Sequence, residues 1–100
     1  MASGKIDRIR RLFSAGRWSI SFHVQAYIEQ GEFDEDDIEA CVSGGVITKS
    51  VKDESGAAID GKKHTITGPD TYGLGFCVVG KLIEDFDGQT VFVITAYKEQ

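Results

Sequence analysis

Near residue 45 the spacing of apolar side chains switches from the helical period to a period of two, which places helices early in this chain and strands late. Upstream, Ile6, Ile9, Leu12 and Phe13 recur at helical spacing, with Ser3 as cap and Gly16 as stop. They predict a short amphipathic helix whose arginines turn outward. Trp18-Ser19-Ile20-Ser21-Phe22 then alternates apolar and polar, the mark of a half-buried strand. A second helix is expected just after Ser21, over residues 23–30, ended by Gly31. A third starts at Asp34, whose carboxylate can accept first-turn amides, with Asp37 three residues on as in a capping box. Ile38, Cys41 and Val42 form its inner stripe, and Gly44-Gly45 is expected to supply a left-handed stop.

Downstream, residues 46–51, 62–67, 74–85 and 90–97 read as four strands. Residues 52–61 form a polar loop, Gly68-Pro69-Asp70 a break, and Asp87-Gly88 a hairpin turn whose two centre residues both tolerate positive φ. The last two strands lack alternation, so they belong at the centre of the sheet, covered on both faces or by an oligomer. The expected fold is α+β, with two or three N-terminal helices packed on one face of a four- to five-stranded antiparallel sheet. One hundred residues make a single domain, 1–100.

Charge divides unevenly. Residues 1–17 hold Lys5, Arg8, Arg10, Arg11 and Arg17 against Asp7, a net of +4, which leaves −9 for residues 18–100 of the total of −5. An acidic body disfavours broad nucleic-acid affinity, leaving the basic N-terminal helix as a local contact or as a solvated face. The longest apolar stretch, residues 91–94, is far too short to cross a bilayer, and no signal-peptide run opens the chain. Cys41 and Cys77 sit inside apolar patterns and build neither a disulfide framework nor a zinc set, which suits a reducing cytoplasm.

Among motifs that could carry chemistry, the run Glu32, Asp34, Glu35, Asp36, Asp37 lacks the glycine of a calcium loop, where Glu39 stands, and is explained by the helix dipole. Gly73, Gly75 and Gly80 enter a strand rather than a helix, so they are no dinucleotide fingerprint. No metal or cofactor site is expected. His23, in the first turn of a helix, is held towards the neutral ring, with Tyr27 on its face. His64 belongs to a Lys62-Lys63-His64 strand cluster. If that strand stands beside His23, the four residues make a cationic patch suited to a phosphodiester; otherwise they are a packing histidine and a lysine-guarded sheet edge.

Taken in order, Phe22-His23, a helix, Phe33-Asp34-Glu35-Asp36-Asp37-Ile38, Gly44-Gly45-Val46-Ile47, Gly61-Lys62-Lys63, the strand over residues 74–82 and Ile94-Thr95-Ala96-Tyr97 resemble a widespread family of small bacterial domains of unknown function. That family is placed with the RelE/ParE-like toxin superfamily, and the resemblance spans residues 18–98. It implies a RelE-like fold and a cytoplasmic toxin paired with an antitoxin, cleaving mRNA on the ribosome without metal or cofactor. His23 is then the acid/base, Tyr97 a polar aromatic at the same site, and Lys62, Lys63, His64 and Lys81 the phosphate contacts. Family members carry arginines on the histidine's helix where this chain has Tyr27, Gln30 and Gly31. That departure implies the alternative, a non-catalytic toxin-fold module that binds a partner protein or a second copy of itself.

Overall fold

A computed structural model describes residues 4–99. Three helices, α1 (Lys5–Ser14), α2 (Phe22–Glu29) and α3 (Glu35–Gly44), lie against a sheet of β1 (Trp18–Ile20), β2 (Val46–Lys52), β3 (Lys62–Pro69), β4 (Gly75–Asp85) and β5 (Gly88–Lys98). The strand order is β1-β5-β4-β3-β2. The two strands without alternation, β4 and β5, hold the interior of the sheet as their composition requires. No helix among the described residues is long and apolar enough to cross a membrane.

The sheet is mixed, not antiparallel throughout: β1 runs parallel to β5, with Trp18 opposite Val91 and Ile20 opposite Val93. The remaining pairs are antiparallel. Alternation shows which face of a short strand is buried but carries no information about its partner, so this pairing was invisible locally. Ile66, Phe76, Val78, Leu82, Val91, Val93 and Ala96 face the helices, which contribute Ile9, Phe13, Val24, Ile38, Cys41 and Val42 to the same core. Phe13 stacks on Trp18 with ring centres 4.5 Å apart, joining α1 to β1.

Local signals mark several boundaries correctly. Ser21 caps α2, its hydroxyl accepting the Val24 N–H, and Asp34 and Asp37 form the reciprocal capping box of α3. The expected cap of α1, Ser3, lies outside the described residues, and Gly4 takes the cap position without a side-chain bond. Gly16 and Gly31 end α1 and α2 with φ of +73° and +81°. The stop after α3 differs, because neither Gly44 nor Gly45 has positive φ. Glycine is needed there for space: a Cβ on Gly45 would stand 2.5 Å from the Cys41 carbonyl oxygen and 2.6 Å from that of Thr67. In the β4–β5 hairpin only Gly88 carries positive φ; Asp85 pairs with Gly88, so Phe86 and Asp87 form the loop.

Candidate functional site

β1 stops opposite Val93, and the chain then turns away into α2. Ser21 fixes the departure, its amide donating to Val93 O at 3.0 Å and its hydroxyl to Ile94 O at 2.7 Å. Beyond that point β5 has a partner on one side only. The Glu99 N–H donates to Gly75 O, so by antiparallel alternation Thr95 and Tyr97 turn their backbone groups to β4. Ala96 and Lys98 turn theirs outward. A groove of about 450 Å³ runs along this free edge, walled by Tyr27, Glu32 and Phe33 on one side and residues 95–98 on the other.

The wall facing β5 is mostly aromatic, with Glu32 between Tyr27 and Phe33 in sequence. His23, exposed at the start of α2, meets Tyr27 edge-on with ring centres 4.6 Å apart. Tyr27 meets Phe33, and Phe33 meets the fully buried Phe76, so the surface imidazole is coupled to the core through three rings. Tyr97 lines the groove from β5 but turns its side chain to the other face of the sheet, beside Cys77; burial, and then the neighbouring Cys77, raise its phenol above the usual tyrosine range. The two expected catalytic residues are therefore not brought together: the Tyr97 side chain is on the face of the sheet away from the helices, and His23 on α2 is outside the groove lining. Glu32, Phe33 and Lys98, which complete it, carried no local signal because their roles depend on where β1 ends.

The expected phosphate contacts lie elsewhere. β3 is separated from β1 by β5 and β4, roughly 14 Å at the usual strand spacing. His64 is 4% exposed on the helix-facing side of the sheet. Its Nε2 is 2.8 Å from Asp60 Oδ2, its Nδ1 is 2.7 Å from Ser50 Oγ, and Lys5 of α1 reaches the same Asp60 oxygen at 3.1 Å. Burial acts to raise the Asp60 carboxyl, but hydrogen bonds from His64, Lys5 and the Lys62 amide hold it at about 2. Lys62 shares the His64 face by strand alternation, and Lys63 lies on the other face.

Lys81 is buried rather than poised for phosphate. Its ammonium donates to Ser55 Oγ at 2.8 Å and to both oxygens of Asp53 at 3.3 and 3.4 Å. Burial acts to raise the Asp53 carboxyl, yet the Ala58 amide, Ser55 and Lys81 together hold it at about 2. This cluster pins the loop between β2 and β3 onto the sheet. Cys41 is spent in packing: burial, with Cys77 nearby, pushes its thiol up to about 12, and it donates weakly to Phe76 O. No family model, curated protein or solved structure matches this chain.

Proposed function

We propose that the protein is an interaction module that takes up an extended peptide along the free edge of β5, with no ribonuclease chemistry at that groove. One observation carries the reading: the outward-facing backbone of exposed Lys98 lies beside a groove walled by Tyr27 and Phe33, next to the fully buried Ala96. Strand addition uses such an edge for affinity, while alternate side chains of the peptide select the pocket. Among the described residues, the charged side chains lining the groove are Glu32 and Lys98. The peptide is therefore an apolar segment with one Lys or Arg that can pair with Glu32. If the chain is a toxin-family member, the extended tail of an antitoxin is such a segment.

Selection of displayed random decapeptides on the immobilised protein tests this. Enriched sequences should pair a basic residue with an apolar one, and binding should slow hydrogen exchange at the exposed Lys98 amide. Lys98→Pro, which deletes an edge donor, should weaken binding about tenfold. No enrichment, or a Lys98 amide whose exchange ignores the bound peptide, would sink the reading.

The ribonuclease reading is weaker here, because His23 touches Tyr27 from outside the groove lining and the Tyr97 phenol turns to the other face of the sheet. It also lacks the expected phosphate contacts, since Lys62, Lys63, His64 and Lys81 are all outside the groove, which Lys98 lines alone among cations of the described residues. Intact transcripts after incubation in a translating extract would reject it, as would cleavage indifferent to His23→Ala.

A further inference from the structure

We infer that Ser50 is a base-activated nucleophile that accepts acyl groups from small anionic esters, using His64 as base and Asp60 as its orienting carboxylate. This site is independent of the β5 groove. Ser50, His64 and Asp60 form an unbroken hydrogen-bonded chain with links of 2.7 and 2.8 Å, the spacing at which a nucleophile, a base and an orienter act together. Asp60 is a pure acceptor, held by Lys5 and by the Lys62 amide at 3.1 Å each. Its bond to Nε2 therefore places the ring proton on Nε2 and leaves the Nδ1 lone pair facing Ser50, whose hydroxyl must be the donor.

The fold separates the reacting atom from the base in the way this chemistry needs. The His64 side chain is 5% exposed, whereas Ser50 is exposed on the edge strand β2. Ser50 lies directly opposite His64, and the Asp53 amide donates to Gly61 O three positions along. By alternation the Ser50–His64 pair is then a narrow, non-hydrogen-bonded one, which brings the side chains together and points the Ser50 amide away from β3. That outward N–H is a donor for an oxyanion formed on the acylated serine, the role a nucleophile's own amide plays in serine hydrolases.

The surroundings specify charge. Lys52 lies directly opposite Lys62, one pair further along and on the same face as Ser50 and His64. Like charges directly opposite repel, and among the described residues neither lysine makes an ion pair. A carboxylate or phosphate on the substrate answers that pair. In the reaction, Ser50 Oγ bonds to the ester carbonyl carbon as its proton passes to His64 Nδ1. The carbon–oxygen bond to the leaving group then breaks, and the leaving oxygen takes the proton from Nδ1. Water repeats the sequence and releases the acid.

Treatment of the full chain with a fluorophosphonate, followed by mass mapping, tests the nucleophile; hydrolysis of mono-4-nitrophenyl glutarate against 4-nitrophenyl acetate tests the charge preference. One adduct is expected, on Ser50, absent in Ser50→Ala, with a rate that rises with pH and falls about a hundredfold in His64→Gln. The glutarate ester should be preferred, and Lys52→Ala should narrow that preference. A chain that stays unlabelled, an adduct that survives Ser50→Ala, or a labelling rate that does not change with pH overturns the inference. The pH profile needs only the native chain, so the inference is decided even if His64→Gln does not fold.

Discussion

Gly45 sits where the end of α3 crosses β3, with two carbonyl oxygens closer than any side chain tolerates and Gly68 packed against it from the strand. Neither glycine can accept a Cβ without moving backbone. Gly45→Ala is expected to destabilise the fold by about 1–3 kcal/mol in urea titration. The sequence marks this glycine as important, but spacing along a chain describes only local conformation, and part of the steric reason, the Thr67 carbonyl of β3, lies more than twenty positions away. The histidines follow the same logic. His23 at a helix start was legible from its capping neighbour, whereas the partners of His64 come from β2, a loop and α1.

At the scale of elements, α3 shows what local pattern can and cannot reach. Its capping box was legible because both residues lie within one turn. The second task of Asp37 was not: its Oδ1 accepts from the amide and hydroxyl of Thr71, tying the helix start to the β3–β4 connection. Asp34→Ala should therefore cost about 1 kcal/mol, the usual loss of a cap. Asp37→Ala should cost about 1–2 kcal/mol more, because it also strands the Thr71 amide. Urea titration of both variants reads the difference, and equal losses would show that the Thr71 link contributes nothing. All eight elements were expected near their observed places, since hydrophobic period is a local property. The groove was not, because it exists only where β1 ends early beside β5.

For the whole molecule, two carboxylates fasten long connections to the sheet. Asp53 and Asp60 both ionise at about 2, below the ordinary carboxylate value of 3.8, so the folded state favours their charged forms. Their contribution is complete above about pH 4 and disappears as pH falls through 2. The melting temperature should decline across that window, and Asp53→Asn should flatten the decline while lowering the plateau above it. Thermal scans from pH 2 to 6 measure both effects.

The parallel pairing of β1 has a kinetic consequence. Trp18 finds Val91 across 73 positions of chain, and β1 has no other strand partner. During synthesis the first twenty residues must wait, with Trp18 and Ile20 unpaired, until β5 has left the ribosome. Folding is therefore gated by a long-range closure rather than by its fast local helices. A nascent chain stalled before Val91 should remain protease-sensitive at α1 and β1, however well the β2–β3 hairpin has formed.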